Sequence, residues 1–391
     1  MIKEKRITYM LHDNSSHGRR GGVDYETFKV ETSDGWELTL RRYMPHGRVA
    51  ANPVVLCHGL GANAYVMDFG RPGSKKWERY SLAHYLYSGG DGDLKFEVWV
   101  AELRGRNGSA TFSPLLHPRK YNWCIDDYID RDMPAIINFV RTHGRKGGRK
   151  PRIFWVGKSM GGMIAYAYGE EMKKDFAGVV TLSSPVAFEY MGNELPYLLK
   201  TLRRAYPRRR GVPLAWLRWV RRLGMMEALK KMMVNQKNIA PSILKDYIEK
   251  GMDNIISSRV FSHFGIFLNH RNFCRYPRNP WLYDAFRSIP MLERYFAPHS
   301  YKYNLRKFDT PLLAIAGGGD RTAPPEEVRY AYGNVGSRDK EYVIFRKGEE
   351  IHGIKCRADY GHMDLTAGRR VREEVYPVIY RWLVKRTRKR R

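Results

Sequence analysis

The sequence predicts an α/β protein: a doubly wound, mostly parallel sheet interrupted by an inserted helical cap. Three observations carry this. Short apolar runs ending in glycine recur along the chain, as PVVLCHG, FEVWVAELRG, RIFWVG and PLLAIAGGG. Helical periodicity follows several of these runs, and strands alternating with helices imply a parallel sheet covered on both faces. The alternation stops between about residues 186 and 305, a stretch rich in Arg, Met and Trp with no clear strand, then resumes.

Taken in order, FKVETSDGWELTLRRYMP alternates apolar and polar residues around Asp34-Gly35, which predicts a hairpin. PVVLCHG and FEVWVAELRG are then buried parallel strands. Ile129, Met133, Ile136, Ile137 and Val140 recur at helical spacing within 125–141, where Pro134 predicts a kink or the first turn of a helix. RIFWVG runs directly into the helical MGGMIAYAYGEEMKK, and AGVVTLSSP is the next strand. Beyond the interruption come PLLAIAGGG, a helix through PPEEVRYAYG, the strand EYVIFRKG and a last helix running into a basic tail. The expected organisation is a core in two parts, 1–185 and 306–391, with 186–305 as the cap.

Composition narrows the functional class. With 43% hydrophobic residues among 391, the chain can bury a large core and is not globally disordered. The first twenty residues hold no apolar stretch between their charges and do not read as a signal peptide. No run reaches the roughly 18 apolar residues of a membrane span. Four scattered cysteines without a CxxC pair fit a reducing compartment. The expected location is cytoplasmic or peripheral to a membrane surface. Lys and Arg exceed Asp and Glu by 69 to 40, a net charge of +29. That surface attracts anions, so an anionic membrane is an expected partner, whereas no specific nucleic-acid site is read from charge alone.

The chemistry concentrates in GKSMG. Gly157, Ser159 and Gly161 lie between a strand and a helix, the context of a nucleophile elbow. Flanking glycines let backbone and helix approach, and the turn lifts the Ser159 hydroxyl to a helix N-terminus. A tetrahedral intermediate needs two backbone donors: Met160 N–H after the nucleophile, and Leu60 N–H in the CHGLGAN loop. In GGGDRTAPP, Asp320 follows an apolar strand, where catalytic groups of open α/β sheets gather. His362 in YGHMDLTAG precedes the final helix and is the expected base. His352, after Lys347-Gly348-Glu349-Glu350, reads as a residue of an exposed turn. No HExxH, paired CxxC or GxxxxGK[ST] calls for a metal or cofactor.

With these motifs assembled, the sequence resembles the α/β-hydrolase superfamily, in the chain order Ser, Asp, His. Its N-terminal half is similar to acid-lipase-like enzymes in ETSDGWELTLRRYMP, CHGLGAN, ELRGRNGS and DMPAIINFV before GKSMGG. GKSMGG and GHMDL also resemble segments of polyhydroxyalkanoate synthases and homoserine acetyltransferases, although the synthases carry cysteine where this chain has Ser159. The resemblance implies a triad of Ser159, His362 and Asp320, oxyanion donors at Leu60 and Met160, and an acyl-enzyme route. The leading expectation is hydrolysis of carboxylic esters with an apolar acyl chain. Acyl transfer by the same triad and a non-catalytic basic binding protein are the alternatives. WLRWVRRLGMMEALKKMM, residues 216–233, is an amphipathic stretch that packs over the site or lies on a lipid interface.

Overall fold

The computed structural model describes residues 16–20, 22–143, 150–191, 211–213, 231–252, 255–286, 289–296 and 299–388. Strands β1 (Ser16–Arg20), β2 (Val23–Glu31), β3 (Glu37–Tyr43), β4 (Val54–Cys57), β5 (Val98–Glu102), β6 (Ile153–Lys158) and β7 (Phe176–Leu182) precede the interruption. Within it lie β8 (Gly211–Pro213) and β9 (Ile255–Ser257). After it come β10 (Leu312–Gly317) and β11 (Lys340–Phe345). Nine of these strands form one sheet in the order β1-β2-β3-β5-β4-β6-β7-β10-β11. From β5 to β11 every pairing is parallel, and β1, β2 and β3 extend the sheet antiparallel at one edge.

The hydrophobic runs are explained by the sheet having two buried faces. In β4, Val55 and Cys57 join the core on one side, while Val54 and Leu56 join the core on the other. Trp99 and Ala101 alternate in the same way with Val98 and Val100, and Ala314 and Ala316 with Leu313 and Ile315. A period of two combined with helices on both faces removes the polar positions that a half-exposed strand would show. Helices α1 (Lys75–Tyr80) and α2 (Leu82–Ser88) cover one face. Helices α3 (Met133–His143) and α4 (Met160–Met172) cover the other.

The hairpin forms at Asp34-Gly35, with Gly35 at φ 83° and Thr32 N–H donating to Trp36 O at 2.8 Å. The helix expected over 125–141 is interrupted by a π-turn over Tyr128–Asp132, and α3 starts at Met133 with Pro134 in its first turn. Because residues 125–132 are already helical, Pro134 removes one N–H from a continuous helix, and the π-turn directly before it is where the regular ladder is interrupted.

Two features differ from the sequence reading. Ser16–Arg20, within the polar leader, pairs with β2 as a ninth strand, although an exposed, charged edge strand carries little apolar signal. The interruption, expected to hold no clear strand, contains the antiparallel ribbon of β8 and β9. At three residues each, these strands are too short to show a period. Around the ribbon the described residues form helices α5 (Pro241–Gly251) and α6 (Ser258–His270), with shorter ones at Pro280–Ala285 and Pro290–Phe296. The amphipathic stretch 216–233 lies almost entirely outside the described residues. Chain rhythm then returns with α7 (Pro325–Asn334) and ends in α8 (Val371–Arg388). Among the described residues no helix is long and apolar enough to cross a membrane.

Candidate active site

Ser159 occupies the turn between β6 and α4 at φ 53° and ψ −119°, backbone angles that cost a non-glycine residue energy. The surrounding contacts hold it there. Ser159 N–H donates to Leu182 O of β7 at 2.8 Å, and Ser159 O accepts from Gly162 and Met163 N–H. The glycines are sterically required. A Cβ on Gly157 would stand 2.2 Å from Gly161 O, and one on Gly161 would stand 2.6 Å from Cys57 O. Met160 opens α4, where the first N–H groups have no partner within the helix and the dipole favours negative charge.

The loop after β4 packs directly against this turn. A Cβ on Gly59 would lie 2.9 Å from the Ser159 Cβ and 3.1 Å from Lys158 O. Ala62 N–H donates to Gly59 O at 3.3 Å, closing a turn that contains Leu60. His58 has a structural place: its Nδ1 pairs with Gly59 O at 3.0 Å and its Nε2 accepts Leu103 N–H at 3.2 Å. Burial, reinforced by the Arg106 charge, pushes its pKa down to about 3, so the ring is neutral.

Asp320 and His362 meet at the carboxyl end of β10. His362 Nδ1 donates to Asp320 Oδ2 at 2.8 Å, and both residues are buried. The other Asp320 oxygen accepts Thr322 and Ala323 N–H at 2.8 and 2.9 Å, so the carboxylate cannot rotate away. The GGG run makes the meeting sterically feasible. A Cβ on Gly317 would strike Tyr360 O at 2.4 Å, and Gly319 N–H donates to that same carbonyl at 2.9 Å. The segment bearing His362 is clamped by Asp364, whose carboxylate accepts from Gly361 N–H at 2.9 Å and Asn238 Nδ2 at 2.8 Å. His352 sits far from such order, in a tight turn at φ 51° with its exposed ring against Glu341.

Sequence reasoning missed three supporting groups. Arg104 forks between Asp132 and Asp34, with Nε 2.7 Å from Asp132 Oδ1 and Nη1 2.7 Å from Asp34 Oδ2. Burial opposes ionisation of Asp34, but Arg104 overrides it and holds the carboxyl well below its usual range. Arg106 donates to Ala62 O at 2.9 Å and so supports the Leu60 turn. The basic residues of ELRGRNGS were the available signal, masked by a chain in which arginine is everywhere. The third is Lys158, adjacent to Ser159 in the chain, whose side chain is buried. Among the described residues, Cys124, Asp126 and His263 have metal-ligand spacing. Both His263 nitrogens are already engaged, with Ile125 N–H at 3.3 Å and Cys274 O at 2.9 Å.

Comparison with known proteins bears on the fold and the family. A family model described as alpha/beta hydrolase fold matches residues 52–353. Human lipase member K is 31% identical over 194 residues, covering 47% of this chain and 45% of that protein. Sterol esterase 2 of Saccharomyces cerevisiae is 30% identical over 141 residues, covering 34% of this chain and 24% of its own. The chain therefore spans less than half the length of these curated relatives. Among solved structures, an esterase from Thermogutta terrifontis superposes with a TM-score of 0.56 at 17% identity, covering 92% of this chain and 99% of that one. A monoglyceride lipase variant from Saccharomyces cerevisiae superposes with a TM-score of 0.56 at 14% identity, covering 91% and 94%. At such identities these two likenesses concern the fold.

Proposed function

The chain belongs to the α/β-hydrolase family, and from that premise we propose that it is a serine hydrolase cleaving carboxylic esters with an apolar acyl chain. The observation that carries this reading is the buried His362–Asp320 hydrogen bond of 2.8 Å at the end of β10. A neutral imidazole whose Nδ1–H is fixed by a carboxylate presents Nε2 as a base, which a serine hydroxyl needs to become nucleophilic. The strained Ser159 turn at a helix N-terminus supports the nucleophile role. The names of the curated relatives, a lipase and a sterol esterase, support a lipid-like ester.

In this mechanism His362 Nε2 takes the Ser159 proton as Oγ attacks the acyl carbonyl. The oxyanion forms toward Leu60 and Met160 N–H. Collapse expels the alcohol, protonated by the imidazolium, and leaves an acyl-serine. Water, deprotonated by His362, repeats the sequence and releases the acid. The segment 186–305 acts as the cap over the apolar acyl chain, and the net charge of +29 favours approach to anionic membrane surfaces.

The test is turnover of p-nitrophenyl esters of increasing chain length by the wild type and Ser159→Ala, with products analysed in the presence and absence of an alcohol acceptor. Hydrolysis that rises with chain length and vanishes in the variant is expected. A dominant transesterified product would favour acyl transfer, and salt-sensitive binding without turnover would favour a basic binding protein.

A further inference from the structure

Lys158, the residue before the proposed nucleophile, is 1% exposed. Its Nζ lies 2.7 Å from Tyr247 OH of α5, 3.0 Å from Thr366 Oγ1 and 3.5 Å from Met363 O, the carbonyl of the residue after His362. Among the described residues it makes no ion pair. A buried cation without a carboxylate in contact is costly, and a methionine of similar length would fill the space at less expense.

We propose that Lys158 is a positioning residue for the ester hydrolysis inferred above: its Nζ ties the His362 segment to the nucleophile turn and to α5. Three elements distant in sequence thus share one donor group. Ser159 moves with β6, His362 moves with the 361–366 segment, and the bonds from Lys158 fix one against the other. Tyr376 OH extends the tie, its single proton shared between Thr366 O at 2.9 Å and Tyr80 O at 2.7 Å.

The network also bears on charge. The ionisable groups around the amine are Tyr247 from α5, His362 and Asp364 from the segment before α8, and Asp320 from the loop after β10. Burial lowers the Lys158 pKa to about 7, with Asp320 and Asp364 opposing that fall. An ammonium donates to all three oxygens. A neutral amine keeps the cluster if Tyr247 OH turns to donate, so loss of the proton changes the charge beside the triad more than its geometry. A cation beside the triad opposes proton uptake there, so removing it moves the acid limb of the rate profile upward.

The experiment is kcat and KM from pH 5 to 9 for the wild type, Lys158→Met, Lys158→Gln and Tyr247→Phe, with fluorophosphonate labelling and thermal melts on each. Lys158→Met is expected to lower kcat on the order of tenfold to a hundredfold, the size of effect that small misplacements of catalytic groups produce. KM should change little, and the acid limb should move to higher pH. Lys158→Gln, which retains hydrogen bonding without charge, should recover part of kcat but keep the displaced limb. Tyr247→Phe, which leaves the lysine in place, should lower kcat with no displacement. Unchanged kcat and an unchanged limb in folded Lys158→Met and Lys158→Gln would overturn the proposal. Should both lysine variants fail to fold, wild-type kcat in Tyr247→Phe would overturn it. A wild type that neither turns over esters nor labels at Ser159 would instead overturn the hydrolase reading on which this role rests.

Discussion

The two sides of the proposed active site are built on opposite principles. On the Leu60 side, the approach depends on side chains that are missing: Gly59, Gly157 and Gly161 each stand where a Cβ would overlap neighbouring atoms. On the His362 side it depends on side chains that are committed, with Asp320, His362, Asp364 and Lys158 all buried and hydrogen-bonded. The first flank should therefore be sensitive to volume and indifferent to pH. The second should be sensitive to charge and proton state.

The largest effects are expected on the polar flank. Asp320→Asn should lower kcat by about ten-thousandfold, as loss of the tautomer-fixing carboxylate does in a serine triad, and His362→Ala should lower it further. Ester turnover checks both. If Asp320→Asn keeps wild-type kcat, the carboxylate does not orient the base. Next comes the glycine flank. In Gly59→Ala the new methyl would meet Ser159 Cβ at 2.9 Å. The expected loss is on the order of a hundredfold to a thousandfold in kcat, the size of losing one oxyanion donor. Its pH profile should stay that of the wild type, and a displaced acid limb would break the contrast between the flanks.

Stability sharpens the same contrast. The Lys158 pKa is about 7 in the folded protein against 10.5 for an ordinary lysine, so the unfolded chain binds more protons between these values. Resistance to urea should rise as pH increases from 7 to 10.5 and be lost again on acidification through 7. Lys158→Met should flatten that slope, whereas Gly59→Ala should leave it intact. The smallest effect belongs to His352→Ala. Its ring is exposed in a turn and pairs with Glu341, so turnover should stay within about twofold of wild type, as for most surface substitutions.

The core strands were legible because two buried faces turn each strand into a continuous apolar run, as in PVVLC and PLLAIAG. Asp34-Gly35 was legible because a tight turn demands its own residue types. Within the candidate site, the tight turn at Gly157, Ser159 and Gly161 was legible through local sterics, and the pairing of Asp320 with His362 through their places after a strand and before a helix. Lys158, Arg104 and Arg106 were not legible. Their partners lie tens to hundreds of residues away, and in a chain with 69 basic residues a buried cation looks like a solvated one. The ribbon of β8 and β9 escaped because three-residue strands have no period to read.

The most direct test of the central claim is covalent. Purified protein would be treated with a fluorophosphonate at pH 8, and the modified peptide located by mass spectrometry. The account predicts one adduct, on Ser159, formed at least a hundredfold more slowly in His362→Ala than in the wild type, consistent with a general base contributing about 10²–10⁴ in rate. Absence of an adduct on Ser159, or equal labelling rates in the two proteins, would contradict it.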